Sequence, residues 1–215
     1  MLQEGCVSEG LLRLLRKLQN EKIFKDYFLV GGTSLALQIG HRQSYDIDLF
    51  TQKKLNIPEI TKYLKQNHGG KYQVLNSQSM IYQVMIDGIK VDFVHHPFEL
   101  VEPPFHEKKV TFLGMKDIAA MKLYAIEISG NRAKDFVDIY FLLKDIPLKN
   151  MFKYYQKKYS TDNIFNAKRS LGFFDDVPKE GWQEVIYTKK KVTVKIIKDT
   201  ILNAIQEFND EQMGK

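Results

Sequence analysis

The sequence predicts an α/β (α+β) protein, in which a mixed β-sheet flanked by helices is followed by a C-terminal helical region. Up to about residue 113, apolar runs of strand length alternate with turn residues and short helical stretches. Asp87-Gly88, between two of these runs, is a strong signal for a β-hairpin. From Met115 onwards the apolar residues recur at helical spacing instead.

The first predicted elements alternate between helix and strand. A stripe of leucines between charged residues predicts a helix over Leu11–Phe24. Short apolar runs predict strands at Tyr27–Val30 and Asp46–Phe50, with a helix at Thr33–Ile39 between them. Another helix is predicted at Pro58–Gln66, because proline is well tolerated in the first turn of a helix.

The remaining strands precede most of the remaining helices. Apolar patterning predicts four more strands, at Tyr72–Leu75, Ile81–Ile86, Ile89–Val94 and Lys109–Leu113. Helices are predicted at Met115–Ile128 and Ala133–Leu143, with further helical segments after them. A weak boundary near Pro147 separates a mixed α/β core of residues 1–145 from a helical region of residues 146–215, and one continuous domain is the alternative.

The composition is that of a soluble globular protein. Of the 215 residues, 44% are hydrophobic and 27% are charged, which is ordinary for this class. The single cysteine, Cys6, excludes an intramolecular disulfide and a multi-cysteine zinc site, and it fits a reducing cytosol. No apolar run approaches the ~20 residues needed to span a bilayer, and the N-terminus lacks the pattern of a signal peptide. We therefore expect a cytoplasmic protein that does not associate with membranes.

The formal net charge of +6 has two interpretations. A lysine-rich solvated surface is common, whereas attraction to a polyanion such as RNA is the more specific interpretation. A later segment mixes tyrosines with cations, which predicts an amphipathic helical bundle, with an RNA-binding surface as the alternative. The cations of this segment are Lys157, Lys158, Lys168 and Arg169.

Two carboxylates are predicted to project from the same face of one strand. Side chains alternate along a strand, so Asp46 and Asp48 point together while Ile47 and Leu49 point into the core. Adjacent carboxylates repel each other, and a divalent cation between them removes that repulsion. The pair therefore predicts a metal site.

The segment before this strand predicts a phosphate-binding turn. Gly31 and Gly32 would let the backbone approach an anionic ligand, and Thr33 and Ser34 open the helix that follows. The alternative is a tight turn with a capped helix, and both descriptions can hold at once. A phosphate-binding turn beside an acidic metal site is the equipment of a phosphoryl-transfer enzyme.

Three polar residues elsewhere extend this candidate site. Arg42 and Ser44, which precede the acidic pair, are further phosphate-binding candidates. Arg42 is expected either to grip a phosphate or to form a salt bridge with Asp46. Asp92 lies in a strand so apolar that a buried charge there needs a partner. If this strand neighbours that of Asp46 and Asp48, three carboxylates converge on the metal; the alternative is an edge-strand aspartate facing solvent.

These segments closely resemble the nucleotidyltransferases of the AbiEii/AbiGii toxin family, within the DNA polymerase beta-like nucleotidyltransferase superfamily. The resemblance rests on GGTSLAL, on R-x-S-x-DIDLF, on Lys90–Val94, and on Lys122 followed by Lys134–Tyr140. It covers roughly residues 25 to 145, in the order and spacing of the family. It implies a nucleotidyltransferase fold and a metal triad of Asp46, Asp48 and Asp92.

The resemblance also implies roles for two helices. Lys122 matches a helical lysine that would contact nucleotide phosphates, with a snorkelling surface lysine as the alternative and Lys116 as a competing candidate. Asp135 and Asp138 match the (R/K)DxxD pattern of the family, and Asp138 is preferred as the active-site residue. The usual arginine of that pattern is replaced by Lys134, which weakens only a bidentate contact.

The expected activity is the transfer of a nucleoside monophosphate from an NTP, assisted by two Mg²⁺ ions or by Mn²⁺. By resemblance, the protein would be the toxin of a toxin–antitoxin or phage-defence system, with tRNA or another RNA as acceptor and a cognate antitoxin as partner. The alternatives are transfer to a small molecule or a protein hydroxyl, and a non-enzymatic nucleotide- or antitoxin-binding module.

Overall fold

The computed structural model describes residues 1–189 and 191–214. The chain divides into two units. The sheet unit comprises residues 1–40, 44–98 and 103–113, and the helical unit comprises residues 41–43, 99–102 and 114–215. The predicted mixed α/β fold is confirmed.

The sheet unit contains one seven-stranded sheet with the strand order β3-β4-β5-β2-β1-β7-β6. Its strands are β1 (Phe28–Leu29), β2 (Ile47–Thr51), β3 (Tyr72–Gln78), β4 (Ile81–Ile86), β5 (Ile89–His95), β6 (Phe105–Glu107) and β7 (Val110–Phe112). The β2–β5 and β1–β7 pairs are parallel, whereas the other neighbours are antiparallel. The parallel β2–β5 pair brings residues from distant parts of the chain side by side.

Three α-helices belong to this unit, namely α1 (Glu9–Gln19), α2 (Gly31–Ile39) and α3 (Ile57–His68). Ser8 caps α1 by accepting a hydrogen bond from the Leu11 N–H. The leucine stripe of α1 packs in one core with inward-facing residues of the sheet, including Leu49 and Phe93. The predicted helix to Phe24 is shorter than expected, and its last residues form a separate 3₁₀ turn at Lys22–Phe24.

The helical unit contains α4 (Met115–Ile128), α5 (Ala133–Leu142), α6 (Leu148–Tyr159), α7 (Phe165–Leu171), α8 (Lys179–Gln183) and α9 (Val194–Met213). Helix α4 packs against α5, α6 and α7, and the main change from the sheet unit to the helical unit falls at residues 113/114. The domain boundary near residue 145 stays a prediction. Among the described residues, no helix has the length and apolar character required to cross a membrane.

The hairpin between β4 and β5 follows its sequence signal. Asp87 and Gly88 both have positive φ, 50° and 78°, as a two-residue type I′ turn requires. Strand β6 was not predicted, because its three residues follow a double proline and carry no alternating pattern. The turn to β7 uses positive φ at Lys108 and Lys109 without a glycine, so it gave no turn signal either.

Lys158 corrects one expectation about the basic surface. This lysine is 1% exposed, and its Nζ lies 2.7 Å from Asp117 Oδ1 and donates to the Glu99 carbonyl. The Asp117 carboxylate also accepts the N–H groups of Val101 and Glu102. Lys158 is buried and its ammonium is committed to these partners, so Lys158 is not available to RNA.

Candidate active site

The predicted acidic pair lies at the start of β2. Asp46 immediately precedes the strand and is exposed, whereas Asp48 within it is half-buried. Ile47 and Leu49 are completely buried, as the alternation requires. In the parallel β2–β5 pair, Asp48 stands opposite Asp92. The structure therefore places the two strands side by side, with two of the three predicted carboxylates in register.

The two carboxylate oxygens of Asp92 have different surroundings. Its Oδ2 accepts hydrogen bonds from Gln83 Nε2 and from Lys90 Nζ, both at 2.9 Å. Its Oδ1 is buried and makes no hydrogen bond to any described residue. The residue is 8% exposed, so the alternative of a solvent-facing edge aspartate is wrong. An unpartnered buried carboxylate oxygen is costly and fits a site that receives a cation.

Lys90 supplies a positive charge within this acidic group. Burial lowers the pKa of Lys90, but its hydrogen bond to Asp92 and the negative charges of Asp92, Asp46 and Asp48 outweigh that effect and raise the pKa above its usual value. Neither Lys90 nor Gln83 was a predicted site residue. The alternation of β5 did carry the signal for Lys90, because it places Lys90 and Asp92 on the same face.

The three aspartates are the ligand type that Mg²⁺ prefers, but their side chains are not grouped as the ligands of a bound metal would be. Carboxylate oxygens are the ligands that hard divalent cations prefer. Within the part of the chain that the structure describes, however, no three acidic, histidine or cysteine side chains are grouped as metal ligands would be. The metal triad of Asp46, Asp48 and Asp92 therefore stays a prediction.

Gly31 lets the Asp48 carboxylate approach the start of α2. Helix α2 begins at Gly31, and its N-cap residue, Val30, provides no side-chain cap. Gly31 has a φ of 68°, in the left-handed region that glycine adopts without strain. A Cβ at this position would clash with Asp48 Oδ2. Gly32 follows in the first turn, so the two glycines and the acidic strand are adjacent in space.

We expect Gly31→Ala to displace Asp48 and to lower nucleotidyl transfer on the order of a hundredfold, because small displacements of catalytic groups have effects of this size. Gly69→Ala is the matched control. Gly69 also has a positive φ, 51°, but nothing lies within 4 Å of the position that an added Cβ would occupy. Steady-state rates and thermal unfolding of both variants would be compared. Equal rates for the two variants would contradict the close-approach role of Gly31.

Thr33 and Ser44 support Asp46 instead of opening toward solvent. Both side chains are buried. Thr33 Oγ1 donates to the Asp46 carbonyl and shares a 2.8 Å hydrogen bond with Ser44 Oγ. These bonds fix the backbone at the start of the acidic strand. The phosphate-binding role of Thr33 and Ser44 stays a prediction. The N-cap of α2 is Val30, so neither Thr33 nor Ser34 caps this helix.

Ser34 corrects the predicted phosphate-binding set. Its side chain has no exposed surface, and its Oγ donates to the Leu113 carbonyl at 3.2 Å. Gln38 donates to the same carbonyl. A fully buried hydroxyl that is already bonded to a carbonyl is not available to a phosphate. Ser34 instead attaches α2 to the end of β7.

A second cluster of predicted residues lies in the helical unit, around Asp138. Arg42 binds the Asp138 carboxylate bidentately, through Nε at 2.7 Å and a terminal nitrogen at 2.9 Å. Lys122 Nζ lies 2.6 Å from Asp138 Oδ2, and His41 Nε2 lies 2.7 Å from Asp138 Oδ1. Asp138 has no exposed surface. Arg42, Lys122 and Asp138 are therefore brought together, as part of one buried ionic network.

The lysine of α4 joins this network to the start of α5. Lys122 Nζ also lies 2.6 Å from Asp135 Oδ1, and Arg132 approaches the other oxygen of Asp135 at 2.8 Å. Lys122 is 7% exposed, so the snorkelling alternative is wrong. The competing candidate, Lys116, is half-exposed and pairs with Glu102 at 3.0 Å. Arg132, which no sequence pattern singled out, pairs with Asp135 from a largely exposed position.

Mutual neutralisation sets the charge states in this network. Burial raises the pKa of Asp138, but Arg42, Lys122 and His41 outweigh it and hold that pKa well below its ordinary value. Burial also lowers the pKa of Lys122, and the carboxylates of Asp135 and Asp138 reverse the shift and raise it. For His41, burial dominates and the pKa falls. These shifts keep Asp138 ionised and Lys122 charged beside a neutral His41.

Arg42 has a different partner from the one expected. The sequence favoured either a phosphate or Asp46. Arg42 is instead 3% exposed, and its guanidinium binds Asp138 and donates to the Gln43 carbonyl. Asp138 lies 96 residues away in the chain, so no local pattern indicated this pair. The phosphate-binding role of Arg42 stays a prediction, and any phosphate there would share the guanidinium with Asp138.

Comparisons with known proteins find a matching family and a related sequence. The family model of the AbiEii nucleotidyl transferase toxin, of type IV toxin–antitoxin systems, matches residues 13–188. An uncharacterised protein of Aquifex aeolicus, aq_aa25, is 31% identical over an alignment of 188 residues, and the match covers 81% of this chain and 90% of that protein.

Two solved structures share the fold. A candidate nucleotidyltransferase from H. pylori superposes with a TM-score of 0.58 at 15% identity, covering 94% of this chain and 93% of its own. MenT4, a nucleotidyltransferase toxin from Mycobacterium tuberculosis H37Rv, superposes with a TM-score of 0.61 at 13% identity, covering 91% of this chain and 80% of its own. At these identities the likeness concerns the fold alone.

Proposed function

Since the chain belongs to the AbiEii nucleotidyl transferase toxin family, we propose that this nucleotidyl transferase moves a nucleoside monophosphate from an NTP to a hydroxyl group of RNA with the help of Mg²⁺. The acceptor oxygen would attack the α-phosphorus, the bond to the bridging oxygen would break, and pyrophosphate would leave. The observation that carries the proposal is the register of β2 and β5, which sets Asp48 opposite Asp92, with Gly31 against Asp48.

The metal would be held by carboxylates of the sheet unit. Asp46 and Asp48 offer oxygens from one strand, and the unpartnered Oδ1 of Asp92 offers a third from its neighbour. Mg²⁺ bound there, or Mn²⁺ in its place, would stabilise negative charge on the reacting phosphate and lower the pKa of the acceptor hydroxyl. Gln83 and Lys90 would keep the Asp92 carboxylate in one orientation by holding its Oδ2.

The triphosphate would lie against the start of α2. The first backbone N–H groups of a helix are unpaired within the helix and carry a partial positive charge. Gly31 and Gly32 begin α2 without a side chain that would obstruct a ligand, and Asp48 lies beside them. This arrangement would place the phosphates next to the carboxylates that bind their metal.

RNA is the acceptor that the charge favours. The net charge of +6 attracts a polyanion and gives no advantage with a neutral small molecule. Membership of a toxin family also suggests a cognate antitoxin as the physiological partner. The second candidate function is transfer to a small molecule or to a protein hydroxyl, with the same machinery in the sheet unit.

The test is a labelling reaction with each NTP, Mg²⁺ and total cellular RNA. Label at the α-phosphate should appear in RNA, whereas label at the γ-phosphate should not, because only the nucleotidyl group is transferred. A parallel reaction with cell protein in place of RNA tests the second candidate. If α-label enters no RNA with either Mg²⁺ or Mn²⁺, or γ-label enters it, the proposal is wrong.

A further inference from the structure

A cavity of about 800 Å³ lies within the helical unit, beside α8 and the first turns of α9. It belongs to neither cluster described above. Its floor is aromatic, because Phe174 and Trp182 line it and both pack against Phe136 of α5, with ring centroids 5.1 and 6.0 Å away. Both rings are more than nine-tenths buried, so the floor is fixed by the packing behind it.

Three lysines surround this floor, and they come from three different segments. Lys179 begins α8, Lys191 precedes α9, and Lys198 lies in α9. The ammonium of Lys198 lies over the ring of Phe174 at 5.1 Å and over that of Trp182 at 5.8 Å. Asp175 is the acidic residue among the described lining residues, so the cavity has a positive balance.

The basic character continues along the chain beyond the cavity. Residues 188–198, TKKKVTVKIIK, contain five lysines and no acidic residue. Runs of this kind attract the phosphates of nucleic acids. A free mononucleotide would use few of these charges, whereas a strand with successive phosphates would use many of them.

The cavity is linked to the Asp138 network by Tyr187. This residue lines the cavity and forms an antiparallel bridge with Arg42. Its ring also lies 6.4 Å from that of Phe141. Backbone hydrogen bonds join the same two segments, because the Gln43 N–H donates to the Ile186 carbonyl and the Thr188 N–H donates to the His41 carbonyl. The cavity wall is therefore continuous with the segment that carries Arg42.

We infer that this cavity binds one unpaired nucleotide of single-stranded RNA, in which the base replaces the Lys198 ammonium over the Phe174–Trp182 floor and the adjoining phosphates lie on Lys179, Lys191 and Lys198. Aromatic rings that stack bases and cations that hold the backbone are the two components of single-strand recognition. A cavity of this volume suits a ligand of nucleotide size. The inference deepens the proposed function, because it identifies where the acceptor RNA binds.

The chain contains a single tryptophan, so Trp182 fluorescence reports on this cavity directly. We expect a single-stranded oligoribonucleotide of about ten nucleotides, added without NTP or metal, to quench Trp182. The affinity from the same titration should fall with rising salt. Lys198→Glu and Lys191→Glu should each weaken binding by at least about fivefold. Lys153→Glu, an equal charge change at an exposed position of α6, should alter it by less than about twofold.

The inference is overturned if the oligonucleotide does not bind, or binds without quenching Trp182. It is also overturned if the three variants weaken binding equally, which would mean general charge attraction, or if a mononucleotide binds as tightly as the oligonucleotide. Because the titration contains no NTP, its failure is separate from that of the proposed reaction. Binding by wild type in the absence of transfer would leave the cavity assignment standing and would remove the proposed activity.

Discussion

Asp48→Asn is expected to lower nucleotidyl transfer by at least about a thousandfold without weakening the fold. The substitution removes a carboxylate that stands opposite Asp92 and against Gly31. It preserves the shape of the side chain, and it reduces repulsion among the three carboxylates. The loss should therefore appear in the Mg²⁺-dependent rate and not in the midpoint of thermal or urea unfolding.

Asp26→Asn is the matched control for this prediction. Asp26 carries the same carboxylate but forms an exposed salt bridge with Lys53, at 2.7 Å, and exposed pairs contribute little. Its rate and its unfolding midpoint should both stay close to those of wild type. Near-normal transfer by Asp48→Asn at saturating Mg²⁺ would refute the metal role of Asp48, and a large loss of stability would show that this residue mainly supports the fold.

Asp138→Asn is expected to destabilise the protein by about 3–5 kcal/mol, because it leaves two buried cations without their shared counter-charge. Arg42 would lose a bidentate partner, and Lys122 would retain Asp135 alone. Urea unfolding of wild type and variant at neutral pH measures the difference. Asp145→Asn, at an exposed position just beyond α5, should change stability by less than about 0.5 kcal/mol. Equal stability of Asp138→Asn and wild type would contradict the ionised buried network.

The pH dependence of the same variants gives a second measurement. The pKa of Asp138 in the folded protein lies well below its ordinary 3.8. The stabilisation from its charge is therefore complete above about pH 4 and is lost as the pH falls below that value toward the folded-state pKa. The Asp138→Asn variant should not show this part of the acid-induced decrease in the free energy of unfolding. The stability difference between wild type and variant should shrink as the pH is lowered below about 4.

The sequence alone determined the features that depend on a few neighbouring residues. Alternation along β2 directed Ile47 and Leu49 into the core and left Asp48 half-buried between them, and Asp87-Gly88 specified a tight hairpin, because side-chain direction and turn geometry are properties of short segments. The motifs from GGTSLAL to DIDLF indicated the family, which the match over residues 13–188 confirmed. Buried positions in the leucine stripe of α1 followed from helical periodicity in the same way.

Tertiary structure decided which of these groups meet. The sequence could not say that Asp92 stands opposite Asp48, since strand register depends on packing across 44 residues of chain. Nor could it show that Arg42 binds Asp138, that Lys158 is buried on Asp117, or that Ser34 bonds to Leu113. Each of these polar groups is inside the protein, where desolvation requires a partner. A sequence reveals which groups will need partners, but only the packing of distant elements determines which partner each one receives.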